Sequence, residues 1–94
     1  MTERPALKPV IDWSCLDCGI DTDNVDGHGH DEYYMLHHDL WLEINPHATG
    51  HLCIGCAEGR LGRRLIASDF IDAPVNTNPR RASARLTSRL AHPD

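Results

Sequence analysis

Four cysteines in two Cys-x-x-Cys pairs, Cys15-Leu16-Asp17-Cys18 and Cys53-Ile54-Gly55-Cys56, stand 34 residues apart. This pattern constrains the fold more than any other feature of the chain. A two-residue gap lets two thiolates turn toward one ion about 2.3 Å away, and two such turns complete a tetrahedral zinc site. A chain of 94 residues with only five aromatic side chains (Trp13, Tyr33, Tyr34, Trp41 and Phe70) has a thin core and needs a staple of this kind. Zinc binding contributes about 10 kcal/mol or more directly to folding. The alternatives are two disulfides or two separate redox motifs. No apolar run approaches the roughly 20 residues of a membrane span. Met1 to Pro9 holds Glu3, Lys8 and two prolines with no hydrophobic stretch behind them, unlike a secretory signal. The expectation is therefore a cytoplasmic protein, where disulfides are disfavoured. Redox motifs of the thioredoxin kind come with a parallel-sheet pattern that this chain lacks. Cys15, Cys18, Cys53 and Cys56 are thus the expected ligands of one structural Zn²⁺, whose closed coordination sphere leaves no position for a catalytic water.

The flanking residues indicate the fold around the ion. Gly19, directly after Cys18, permits the left-handed turn of a zinc knuckle. Leu61, Leu65 and Ile66 recur at helical spacing after the second pair, with arginines on the other face. A helix is therefore expected to begin near Cys53–Cys56, where its dipole favours thiolate charge, although Gly59 and Gly62 weaken it. Between the pairs, the acidic stretch Asp21–Glu32 reads as a loop. It fails as a calcium-binding EF-hand loop because Asp26 occupies the position that requires glycine. Glu32–His37 reads as a strand, and Asp39–Ile44 as a helical turn stopped by Asn45-Pro46. Trp13 and Trp41 read as core residues. Knuckle, β-hairpin and ligand-bearing helix together make a small α+β, treble-clef-like module. Asp69–Pro74 reads as a connector, and Asn78-Pro79 signals the start of a C-terminal helix over 80–91. The organisation expected is an N-terminal arm over 1–11, a zinc-binding domain over 12–72, and a linker with a short basic helix over 73–94.

Charge divides the chain. Residues 1–59 carry two basic and eleven acidic side chains, whereas residues 60–94 carry seven arginines and three aspartates. Such a division signals either a basic contact surface or internal charge pairing. Arg60, Arg63 and Arg64 beside the zinc helix, and Arg81, Arg85 and Arg89 in the C-terminal segment, are the candidate partner-binding residues. Of the seven histidines, His28 and His30 offer only a weak secondary metal site, and His51 competes poorly with four cysteines.

Trp13-Ser14-Cys15-Leu16-Asp17-Cys18-Gly19, Glu32-Tyr33-Tyr34-Met35, Leu40-Trp41, Leu52-Cys53-Ile54-Gly55-Cys56, Glu58, Arg60-Leu61-Gly62-Arg63 and Asp69-Phe70 occur in this order. Over residues 12–72 this resembles small zinc-finger-like proteins of bacteriophages and their bacterial hosts. The resemblance implies a zinc module of phage or bacterial origin and no particular activity. A weaker likeness is to HNH endonucleases, which carry two such cysteine pairs around a ββα-metal core. His37-His38-Asp39 imitates their base-bearing element, but Ala57 stands where their metal-binding histidine follows the last cysteine. The expected function is a non-enzymatic zinc-binding adaptor or regulatory protein. A protein partner is favoured because the net charge of −5 repels nucleic acid. A nucleic-acid-binding zinc finger is the alternative, an HNH-like nuclease or degenerate relative the third reading, and neither membrane nor small-molecule substrate is expected.

Overall fold

The structure, a computed structural model, describes residues 12–93, so the arm expected over residues 1–11 lies outside it. Two short turns of chain bearing the cysteines meet at one end of a small α-rich body. The first is a knuckle. Ser14 and Asp21 form an antiparallel bridge, the Cys15 N–H donates to the Ile20 carbonyl at 2.7 Å, and the Gly19 N–H donates to the Cys15 carbonyl at 3.0 Å. Gly19 sits at φ +79°, in the left-handed region that a side chain disfavours.

Helix α1 spans His38–Ile44. Leu40 and Trp41 lie partly buried and Ile44 fully so, while Asp39 sits in the first turn, where the dipole favours negative charge. Asn45 closes it, its side-chain amide donating to the Thr49 carbonyl, and Pro46 cannot continue it. Helix α2 spans Ile54–Leu61, with Cys53 as its N-cap residue and Ile54 and Ala57 facing the core. The expectation that Leu65 and Ile66 extend this helix does not hold. Gly62, at φ +84°, turns the chain away, and the Glu58 carboxylate accepts the Leu65 N–H at 2.8 Å. Leu65 is nonetheless fully buried.

The hairpin expected between the cysteine pairs is also absent. Among the described residues no strand exceeds an isolated bridge, and the stretch 32–37 contributes only the Leu36–Phe70 pair. At Met35 a side chain acts in place of a neighbouring strand. Buried Asn76 accepts from the Met35 N–H at 3.1 Å and donates to the Met35 carbonyl at 2.7 Å and the Ile71 carbonyl at 2.8 Å. Within 32–37 Asn76 serves the Met35 backbone alone; the Ile71 N–H also bonds to the Met35 carbonyl and the His37 N–H to the Asp69 carbonyl, flanking the single bridge.

Asn76 belongs to α3, Pro74–Thr77, inside the stretch read as a linker; a 3-10 turn, Ala67–Asp69, precedes it. Asn78-Pro79 ends α3 rather than starting the last helix, because the Asn78 N–H closes onto Pro74. Ala82 then forms a parallel bridge with Asp31, which accepts from the Ser83 N–H through its carbonyl and donates its own N–H to the Arg81 carbonyl. The last helix, α4, spans Ala84–Ala91, and Ser83 caps it by accepting the Leu86 N–H. Leu86 enters the same core as Leu36, Ile44, Leu52, Ile54, Leu65 and Phe70. The C-terminal helix is therefore packed on the cysteine-bearing body. Leu86→Ala is expected to cost about 3 kcal/mol in denaturant unfolding, and Leu90→Ala, at a half-buried site, clearly less.

Candidate metal centre

Each cysteine reaches the cluster from a different local geometry. Cys15 and Cys18 lie on the knuckle; Cys53 is the extended residue before α2 and Cys56 stands in its first turn. The Leu16 N–H donates to the His51 carbonyl at 2.8 Å, which fastens the two elements together beside the sulfurs. All four cysteines are free, and their Sγ atoms lie within 4.8 Å of one another. Sulfurs bound tetrahedrally at about 2.3 Å stand roughly 3.8 Å apart. The Cys18–Cys53 separation is 3.8 Å. The four cysteines are thus placed to hold one metal ion.

Burial would push the Cys15 thiol up, but backbone N–H groups of Cys18, Cys53 and Asp17 draw it down to about 6. Burial raises the thiols of Cys53 and Cys56; neighbouring sulfurs add to the effect at Cys56, while at Cys53 the Cys56 groups oppose it and Cys18 and Cys15 add to it. Bringing these sulfurs to the thiolate state together requires a cation among them.

Three ion pairs surround the cluster and join elements distant in sequence. Arg60 of α2 binds Asp17 of the knuckle through Nε at 2.8 Å and Nη2 at 2.6 Å, while its Nη1 reaches the Ile44 carbonyl ending α1. Arg89 of α4 holds Glu58 of α2 through Nε at 2.7 Å. The third centres on Glu32, whose side chain is 2% exposed. Its Oε1 accepts from the Ile54 N–H and from Arg85 Nη2, both at 2.8 Å; its Oε2 accepts from the Ser83 hydroxyl at 2.8 Å and Arg85 Nε at 3.1 Å. One carboxylate therefore caps the metal helix and anchors the start of α4.

The candidate partner-binding arginines are mostly committed within the chain. Besides Arg60, Arg85 and Arg89, Arg63 binds Asp69 through two nitrogens at 2.9 Å, and Arg81 lies 2.8 Å from Asp23 and 3.5 Å from Asp31. Arg64 is exposed and joins no ion pair among the described residues. Within the acidic loop Asp21 accepts the Asp23 N–H, and Asp26 accepts the N–H of His28 and binds the His30 ring. His51 stacks on Trp13 with centroids 4.7 Å apart. His37 and His38 stand exposed at the start of α1.

Sequence reasoning missed Glu32 and Asn76. Glu32 was read as the end of the acidic loop and the start of a strand, and Asn76 lay in the linker. No family of proteins, no curated protein and no solved structure gives a significant match to the chain.

Two outcomes follow for the centre. Purified protein should carry one metal ion per chain by elemental analysis, and Cys15→Ser or Cys53→Ser should abolish both the ion and cooperative unfolding. For Glu32, burial alone would raise the carboxyl, yet Arg85, the Ile54 N–H and Ser83 hold it below the usual range. A depressed folded value contributes stability above the unfolded value of about 4.3 and loses it as pH falls through the folded value. Glu32→Gln should cost about 2 kcal/mol at neutral pH with metal still bound, and should flatten the acid limb of the stability curve.

Proposed function

We propose that the chain is a zinc-stapled, non-enzymatic adaptor that works by binding a protein partner in the bacterial or phage-infected cytoplasm. The observation that carries this reading is the commitment of Arg60, Arg63, Arg81, Arg85 and Arg89 to carboxylates of the same chain. Phosphate neutralisation would require these side chains to leave their partners, and the remaining surface carries a net negative charge that repels nucleic acid.

The donor set favours zinc. Four soft sulfurs at single-ion spacing suit a tetrahedral d¹⁰ cation, and among the described residues no carboxylate or imidazole joins the cluster. A sphere closed by four protein ligands supports a structural ion. Zinc would supply the attraction that holds knuckle and helix together, while Cys15 and Cys53 bury their sulfurs and Cys56 rides in the first turn of α2. The position after Cys56 also weighs against HNH-type catalysis. Ala57 is fully buried in the core, so that site faces packed side chains rather than a second metal.

The test is a mobility-shift titration with duplex DNA and with RNA at about 50 and about 200 mM salt, beside a plasmid incubated with Mg²⁺, Mn²⁺ or Ni²⁺. No shift and no cleavage are expected. Sub-micromolar binding that falls steeply with salt would establish the nucleic-acid alternative, and cleavage abolished by His37→Ala or His38→Ala would establish the nuclease.

A further inference from the structure

Helix α2 carries two glycines, Gly55 and Gly59, a residue that destabilises a helix interior by about 1 kcal/mol relative to alanine. Neither has a positive φ, so backbone conformation does not call for either. They differ in what lies above them. A Cβ at Gly59 would meet nothing within 4 Å, whereas a Cβ at Gly55 would stand 2.8 Å from Arg85 Nη1 and 3.4 Å from its Cζ. The guanidinium from α4 therefore rests on the bare backbone of Gly55, which lies between Cys53 and Cys56 in the chain.

Two of the three Arg85 nitrogens go to Glu32, Nε at 3.1 Å and Nη2 at 2.8 Å. Nη1 has no oxygen acceptor among the described residues. Glu32 chiefly holds the guanidinium charged, and the Cys53 side chain adds hydrogen-bonding and electrostatic attraction. Cys53 directly precedes Ile54, whose N–H Glu32 also takes at 2.8 Å, so carboxylate, guanidinium and sulfur meet at the first turn of α2. Arg60 is arranged differently. All three of its nitrogens lie on oxygens, two on the Asp17 carboxylate and the third on the Ile44 carbonyl. Arg85 keeps a donor for sulfur.

Resting on the reading of the four sulfurs as a metal centre, we propose that Arg85 is an outer-sphere positioning residue of that centre: its Nη1 donates to the Cys53 thiolate across the gap that Gly55 leaves open and keeps that sulfur on the ion. Four thiolates around a divalent cation leave surplus negative charge on sulfur. A cationic N–H donor draws off part of that charge, which lowers the basicity and nucleophilicity of the thiolate and slows its protonation and its attack on electrophiles. Removing a partner of this kind changes metal affinity by about 10–100-fold. Glu32 orients the donor, so the carboxylate that caps α2 also sets the guanidinium over its N-terminal turn.

The test uses the metal-loaded full chain. Transfer of zinc to a chromogenic chelator is timed, and the thiolate-to-cobalt charge-transfer band is recorded on the cobalt-substituted chain. Gly55→Ala displaces Nη1 yet favours the helix, and it should speed metal release severalfold and move the band to lower energy. Gly59→Ala makes the same change where space is open and should alter neither. Arg85→Met should release metal about tenfold faster. The double variant should be no faster than Arg85→Met, because both substitutions remove one contact. Arg85→Met also leaves Glu32 without its cation, so if it fails to fold the two alanine variants decide the matter. Gly55→Ala indistinguishable from Gly59→Ala in rate and band, or fully additive with Arg85→Met, would overturn the role of Arg85 while leaving the metal centre standing. A wild-type chain that takes up neither zinc nor cobalt would instead remove the centre itself, and the inference with it.

Discussion

Four sulfurs within 4.8 Å of one another are the constraint from which the rest of the fold follows. As thiolates they repel, and as thiols they offer only weak hydrogen bonds, so their convergence is favourable only around a cation. Two of them, Cys15 and Cys53, also belong to the hydrophobic core, whose aliphatic and aromatic members are few. The cluster is both a cross-link between turns 34 residues apart and part of the packed interior. Gly19 and the Leu16–His51 hydrogen bond shape the knuckle so that its sulfurs arrive beside the start of α2.

Charge completes what the small core leaves undone. The acidic first part and arginine-rich second part of the sequence meet as ion pairs across elements, and these pairs differ in weight. Arg81 with Asp23 is exposed on both sides and contributes little, as solvated pairs generally do. Glu32 is another matter. Its carboxylate is buried, four donors satisfy it, and removing Arg85 leaves a buried charge without compensation. Arginine suits these places better than lysine because its planar fork engages both carboxylate oxygens, as Arg85 does with Glu32 and Arg63 with Asp69.

What was legible in the sequence was what local rules govern. The cysteine spacing identified the cluster, Asn45-Pro46 marked the end of α1, and the second pair marked the start of α2. The misread segments are those where a distant side chain overrides a local signal. Asn78-Pro79 has the composition of a helix start, yet Ser83 performs that role because its hydroxyl reaches Glu32, 51 residues away, while accepting the Leu86 N–H. Glu32–His37 has strand composition, yet Asn76 takes the backbone groups of Met35 and pairing with another segment stops at the Leu36–Phe70 bridge. Gly62 ends α2 although Leu65 continues the apolar period. Such bonds leave no periodic trace, so pattern reading assigns those residues to loops or to the wrong element. The charge division was visible, but whether it served a partner or the fold depended on contacts that spacing alone does not encode.

The same connections tie the cysteine cluster to the surface. Glu32 accepts the first N–H of α2, and Tyr33, the next residue, begins the wall of an apolar groove. The opposite wall includes His51 and Leu52, immediately before the ligand Cys53, and the Tyr34 hydroxyl donates to the Leu52 carbonyl at 2.8 Å. Both sides of the groove are therefore held within one or two residues of groups that organise the metal helix. Helix α4, eight residues long, is too short to persist alone and relies on Arg85 and Arg89 gripping Glu32 and Glu58. Loss of the ion would free α2 from the knuckle and loosen these grips and the groove walls together. The surface around Tyr33 and His51 is thus coupled to the state of the cysteine cluster through the backbone on either side of Glu32 and Cys53.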